Sequence, residues 1–249
     1  MLKIGIIGGS GLDDPDILKN PDDLEMTTEY GNPSSCLLSG KIKGVETVIL
    51  ARHGRKHQYS PTQVNNRANI KALQQAGVTH IITTTACGSL RQEIDRGHLV
   101  ILDQFIDFTR FRKNTFAESF ENGLVHPVMA HPFDEALRKK LYRTAKKLDL
   151  NVHGKGCVIT IEGPRFSTVA ESKMFRMWGA DVINMSTAPE AMLANEVGIP
   201  YATVAMSTDY DCWNGDEVPV TWEEILAVFK QNADNVKQLL VAVIEELKE

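Results

Sequence analysis

The 249 residues carry a net charge of −5 with acids and bases interspersed, which argues against a nucleic-acid partner, since that binding demands a basic face. A hydrophobic fraction of 43% and a charged fraction of 24% are those of an ordinary globular protein, and no apolar run approaches the ~20 residues of a membrane span. Length alone permits one large domain or two small ones.

The elements alternate from the first residues. Ile4–Ile7 is β-branched and reads as a first strand, too brief for a signal peptide. Gly8-Gly9-Ser10-Gly11 follows directly, where glycines let backbone N–H groups approach an anion and Ser10 adds a hydroxyl. The spacing is not that of a dinucleotide fingerprint, and a ligand-free tight turn suits it equally. Cys36–Ser39 and Val45–Ala51 pair across the Lys43-Gly44 turn. Arg52, His53, Gly54, Arg55, Lys56 and His57 then form a basic cluster too short for a nucleic-acid groove but suited to a small anion. His53 and His57 have the spacing of helical metal ligands, but Gly54 and the preceding strand argue against a helix, and no third ligand is evident.

Helical periodicity covers Gln63–Ala76 and stops at Gly77; Val78–Thr84 is a strand ending in the hydroxyl-rich Thr83-Thr84-Thr85-Ala86-Cys87-Gly88-Ser89. Leu99–Leu102 is a strand. From about Asp107 to Pro132 the chain is irregular and mixes aromatics with bases, a length of loop that is more often functional or interfacial than idle. Asp134–Leu150 is an amphipathic helix and Val158–Ile161 a strand. Thr168/Glu171, Thr187/Glu190 and Thr221/Glu224 all fit the capping box, and Gly179 and Gly198 mark the first two C-termini. The last helix buries Trp222, Ile225, Leu226, Phe229, Ala233, Val236 and Leu240. Cys36, Cys87, Cys157 and Cys212 show no metal-like spacing and lie in or beside apolar runs, which predicts buried free thiols in a reducing compartment. The alternation with short connections predicts one α/β domain over residues 1–249, with a central mixed β-sheet flanked by helices.

The buried strand Tyr201–Thr208 ends in Asp209 and Asp211. At the carboxyl end of an α/β strand, where ligands sit, a carboxyl pair suits a ligand offering an N–H donor beside a protonatable nitrogen. A helix cap followed by a turn uses the same residues. The strand ends at Arg52, at Thr85 and at Ser186 (beside a helix N-terminus) offer phosphate-type donors without a Walker loop, so a free phosphate is their common denominator. Phe166, at a further strand end, suits stacking on a heterocycle or a place in the core.

Taken in order, Gly8–Gly11, Ala51–Arg55, Thr84–Arg91, Thr160–Ser167, Ala180–Met185 and Thr208–Trp213 resemble the trimeric purine nucleoside phosphorylase family, most of all its S-methyl-5′-thioadenosine-cleaving branch. The resemblance spans nearly the whole chain. It implies a nucleoside phosphorylase fold and phosphorolysis of methylthioadenosine to adenine and 5-methylthioribose 1-phosphate, in purine and methionine salvage. Inorganic phosphate is then the co-substrate, with no metal or organic cofactor, in a cytoplasmic homotrimer without nucleic-acid or membrane partners. By the same resemblance Ser10, Arg52, His53, Thr85, Ala86 and Ser186 hold phosphate, Met185 lies on the ribose and Phe166 lines the base pocket. Ser167, Asp209 and Asp211 face the purine edge, with Asp209 the candidate proton donor to N7. His126 reaches a neighbour's 5′ pocket, which Trp222 and Ile225 also line. Asp at 209, where relatives acting on 6-oxopurines carry Asn, favours a 6-aminopurine. A broader phosphorylase accepting adenosine or inosine, a nicotinamide-binding oxidoreductase and a non-catalytic nucleoside binder are the alternatives.

Overall fold

Parallel strands buried on both faces need near-continuous apolar runs, and four such runs form the middle of this protein. The computed structural model describes residues 1–9, 17–121, 123, 126–214 and 222–248; within 222–231, only the Val228 side chain is described. β1 (Lys3–Gly8), β4 (Val45–Ala51), β5 (His80–Ser89) and β11 (Tyr201–Tyr210) run parallel, with Ile7 opposite Leu50 and Thr83, and Thr85 opposite Ala205. β3 (Leu37–Ile42) joins β4 through a tight turn in which Lys43 and Gly44 both have positive φ, at 50° and 82°, as a two-residue hairpin requires. β2 (Lys19–Leu24) closes that edge.

β5 is long enough to serve two neighbourhoods. Its first half pairs with β1, and its end pairs antiparallel with β10 (Val182–Asn184), which leads on to β9 (Cys157–Ile161) and β7 (Gln104–Phe108). On its other side β11 leads to β6 (Leu99–Ile101) and β8 (Val152–His153). The described strands thus form one mixed sheet, with helices on both faces. α2 (Glu135–Lys147) and α5 (Trp222–Leu247) cover one face, where Leu137, Leu141, Val236, Leu240 and Val243 meet Ile4, Ile6, Val204 and Met206. α1 (Asn66–Gln75) and α4 (Thr187–Glu196) cover the other, where Leu73, Ala191 and Ala194 meet Ile7, Leu50, Ile81 and Ala205. Each fully buried aliphatic side chain contributes about 1.5–3 kcal/mol. α3 (Val169–Met177) packs Phe175 on Ile159 and Ile183.

Most predicted elements are present, with informative differences. The helix expected from Gln63 begins at Asn66, because the Asn65 side chain accepts from Ala68 N; Pro61–Gln63 is a separate 3-10 turn. β5 continues past Thr84 to Ser89, held extended by β11 and β10 despite its small hydroxyl residues. The Thr168/Glu171 capping box is formed in both directions. The Thr187/Glu190 box is not: Ser186 is the N-cap residue of α4, Thr187 is its first helical residue, and Glu190 turns inward to an arginine. Thr221 lies outside the described residues. All four cysteines are free, but only Cys87 is buried; Cys36 and Cys157 are half-buried, and Cys212 is exposed because the chain has left the sheet by then.

Asp134 caps α2 by accepting from Leu137 N at 2.8 Å, far from the strand ends described below. Asp134→Ala should lower unfolding free energy by about 1 kcal/mol in chemical denaturation and leave ligand affinity unchanged.

Candidate active site

Strands that run parallel end on the same side, and the ends of β1, β4, β5 and β11 open together into a cavity of about 480 Å³. The turn that follows β4 and the ends of β9 and β10 supply its remaining wall. Ten residues expected from the sequence line it: Arg52, His53, Thr85, Ala86, Phe166, Ser167, Met185, Ser186, Asp209 and Asp211.

At one end lies Arg52, only 2% exposed. A buried guanidinium must be paired. Its Nε donates to Glu190 Oε1 at 2.5 Å and its Nη2 to Oε2 at 3.0 Å, a two-point fork, while Nη1 donates to the Thr84 carbonyl at 2.9 Å. Glu190 is fully buried and also accepts from the Tyr201 hydroxyl at 3.0 Å. Gly9 lies against this guanidinium; a Cβ there would sit 3.1 Å from Nη1, so only glycine leaves the approach open. Beside Arg52, Thr85 Oγ1 lies 3.3 Å from Ser186 Oγ and accepts from Asn184 Nδ2. Ser186 starts α4 without spending its hydroxyl on a cap, so the hydroxyl and the helix N-terminus both favour an anion at this end.

His53 stands on a closed turn. The Gly54, His57 and Tyr59 amides donate to the Ala51, Gly54 and His53 carbonyls, Gly54 has φ +80°, and the His57 ring stacks 4.7 Å from that of His53. Burial first, and then the charge of Arg52, lower the His53 pKa to about 4, so its imidazole is neutral at pH 7.

The other end is acidic. A bulge between Ser207 and Asp209 shifts the β5–β11 register, and Asp209 and Asp211, two residues apart, both line the cavity. The Ser167 hydroxyl lies 2.8 and 2.7 Å from the two Asp211 oxygens, and the Thr208 hydroxyl donates to Asp209 Oδ1 at 2.7 Å. A Cβ at Gly88 would crowd Ile183 at 3.1 Å and would be in ordinary contact, at 3.5 Å, with Asp209 Oδ2. Phe166, 64% exposed, stands at the rim, with Ile183 and Met185 as apolar wall. Burial, with Asp209 nearby, raises the Cys87 pKa, so that thiol is no nucleophile.

Of the four other predicted residues, only His126 has a described side chain. Ser10 lies outside the described residues, as do the side chains of Trp222 and Ile225. His126 is exposed and stacks edgewise on Phe120, away from its own chain's cavity. Conversely, Tyr59, Asn184 and Thr208 line the cavity without having been assigned a role, as does His57, which the sequence offered only within the basic cluster. Thr208 was legible as the hydroxyl beside the aspartates; His57 and Tyr59 had no signal beyond the basic cluster. Among the described residues no group of three or more His, Cys, Asp and Glu side chains forms a metal site.

The wall after β9 is anchored by Glu162. Its carboxylate accepts from the Arg110 and Phe111 amides, from Thr62 Oγ1 at 2.6 Å and from Arg112 Nε at 2.8 Å. Burial alone would raise its pKa, but these donors outweigh it and hold the pKa at about 2.

A model of the phosphorylase superfamily matches residues 3–245. The S-methyl-5′-thioadenosine phosphorylase of Xenopus tropicalis is 53% identical over 99% of this chain and 89% of its own length; that of Danio rerio is 51% identical over the same shares. The methylthioadenosine phosphorylase of Schistosoma mansoni, solved with adenine, superposes with a TM-score of 0.95 at 38% identity, covering 100% of this chain and 92% of its own. A mutant of the adenosine/methylthioadenosine phosphorylase from the same organism, solved with methylthioadenosine, gives 0.93 at 38% identity, over 100% and 92%.

Glu190→Gln should destabilise the fold by about 3–5 kcal/mol, because it leaves Arg52 buried without its counter-charge; thermal or denaturant unfolding reads this directly. A carboxylate with a depressed folded pKa contributes stability above its unfolded value, and loses it as pH falls. Glu162 should therefore make the protein increasingly acid-labile between its ordinary 4.5 and about 2. The slope of stability against pH in that window should flatten in Glu162→Gln.

Proposed function

We infer the reaction from the premise that this chain belongs to the phosphorylase superfamily. It phosphorolyses S-methyl-5′-thioadenosine to adenine and 5-methylthioribose 1-phosphate, a pentosyl transfer that serves purine and methionine salvage. The observation that carries this reading is one cavity with a donor-rich, cationic end and a carboxylate-pair end, in a chain about half identical to enzymes of that activity over nearly its whole length.

In this reading phosphate sits among Ser10, Arg52, His53, Thr85, the Ala86 amide and Ser186. Met185 lies against the ribose and Phe166 against the base. Phosphate attacks C1′ as the bond to N9 breaks, and positive charge grows on the sugar between the anion and the purine. The purine leaves as a poor anion unless N7 is protonated, and Asp209 supplies that proton. Asp211, fixed through the Ser167 hydroxyl, orients the other donors of the adenine edge. No metal or organic cofactor is needed, because every charge that develops has a partner among these groups.

The 5′ substituent meets Trp222 and Ile225 of the same chain, together with His126 lent by a neighbouring copy in a homotrimer. Exposed apolar side chains support such an assembly: Phe111 is 74% exposed and Met177 80%, near the Phe108–Trp178 aromatic pair. No described helix is long and apolar enough to cross a membrane, and we place the enzyme in the cytoplasm. Broader use of adenosine is the second reading, favoured by the dual name of the Schistosoma mansoni relative.

The deciding experiment compares kcat/KM for methylthioadenosine, adenosine and inosine in wild type and Asp209→Asn. The 6-amino substrates should lose about 100-fold or more, as for removal of a general acid, while inosine loses less or gains. Equal losses on all three would remove the base-reading role of Asp209. Adenosine turned over as well as methylthioadenosine by wild type would establish the broader enzyme.

A further inference from the structure

A histidine assigned to a phosphate site is commonly pictured as a donor, but the hydrogen bonding of His53 points the other way. His53 Nδ1 lies 2.9 Å from the backbone carbonyl oxygen of Tyr59. A carbonyl oxygen can only accept, so Nδ1 carries the proton of this bond. The ring cannot rotate away without breaking that bond, and the turn beneath it is locked by the reciprocal Tyr59 N–H bond to the His53 carbonyl at 3.0 Å. Nε2 makes no hydrogen bond to any described residue, and His53 lines the cavity.

Nε2 carries a proton as well only if the ring becomes an imidazolium. Burial of the ring opposes a further positive charge there, as do Arg52, His57 and Arg112, while the Tyr59 carbonyl favours it; the net effect is a lowered pKa. The neutral ring with its proton on Nδ1 is the form these surroundings select, and its Nε2 is a lone-pair acceptor.

We propose that His53 Nε2 accepts a hydrogen bond from the hydroxyl of monohydrogen phosphate, so that this end of the site selects an oxyanion that still carries a proton. The inference rests on the reading of this cavity as a phosphate site and deepens it. Arg52, Thr85 and Ser186 supply donors for the unprotonated oxygens, which any tetrahedral dianion satisfies. Sulfate matches phosphate in shape and charge but has no proton at neutral pH; its oxygen would face the Nε2 lone pair. Arsenate, which keeps one, should behave as phosphate does. Selectivity then comes from one acceptor placed among donors, because a like-signed pair left unsatisfied in a cavity costs more than a good bond gains.

The test uses the full-length protein, with phosphate, arsenate and sulfate titrated calorimetrically at equal ionic strength and neutral pH. Phosphate and arsenate should bind at least about tenfold more tightly than sulfate, the scale of one mismatched hydrogen bond. His53→Ala should weaken phosphate and bring the ratio close to one, and His53→Lys, which only donates, should favour sulfate. A measurement on wild type is independent of how the variants fold: ¹H–¹⁵N spectra of ¹⁵N-histidine protein with phosphate bound should show His53 protonated at Nδ1 and unprotonated at Nε2. Sulfate bound as tightly as phosphate, or a proton on Nε2 in the phosphate complex, would overturn the proposal while leaving the phosphorylase reading intact. Failure of wild type to bind phosphate at all would instead bring down both.

Discussion

Arg52 sits where β4 ends, buried, and can be there only because Glu190 meets it with a two-point fork from the first turns of α4. Desolvating either charge alone would cost several kcal/mol, so the two elements cannot move apart independently. Glu190 is held in turn by Tyr201 at the start of β11, whose hydroxyl lies 3.0 Å from Thr83 Oγ1 in β5. One buried polar network therefore ties two strands, the central strand and a helix together directly behind the cavity. The chemistry in front of it inherits that rigidity.

The cavity owes its polarity to this arrangement. A guanidinium held by Glu190 and by the Thr84 carbonyl still presents positive charge to the cavity, but its position is fixed before any ligand arrives. The acidic end is made differently, by a bulge beside which two carboxylates meet the cavity. In the proposed reaction the positive charge developing on the sugar falls between these two ends, with phosphate on one side and the departing base on the other. Preorganised charges in a partly enclosed cavity act more strongly than the same charges in water.

Elements with a strong apolar period were legible in the sequence because burial imposes that period: β1, β4 and β9 are where Ile4–Ile7, Val45–Ala51 and Val158–Ile161 place them, and α2 lies within the expected Asp134–Leu150, ending at Lys147. β2 was not, because an edge strand of Lys19, Asn20, Pro21, Asp22, Asp23 and Leu24 is largely exposed and carries no alternation. β7, most of which precedes the irregular stretch, was missed for a similar reason, whereas the short strand expected before Ser186 is β10, Val182–Asn184. Glu190 was the costliest misreading. A carboxylate three residues after a threonine is the capping-box spacing, and nothing local reveals that an arginine 138 residues earlier competes for it. The ten cavity residues lie in motifs that end strands, but the set was assigned through the resemblance of those motifs, taken in order, to the phosphorylase family; four of the ten follow β9 and β10, on the antiparallel side of β5. Their partners across the cavity wall, such as Asn184 and Tyr59, depend on register and turn geometry that no single segment encodes.

The central claim is that one cavity brings phosphate and a methylthio nucleoside together so that the anion, not water, takes the sugar. The direct measurement is a ³¹P spectrum of wild-type protein with methylthioadenosine and phosphate, followed alongside adenine release. A sugar 1-phosphate resonance should grow in step with adenine, and adenine release should stop when phosphate is omitted. Adenine released at an undiminished rate without phosphate, with free methylthioribose as the co-product, would contradict it.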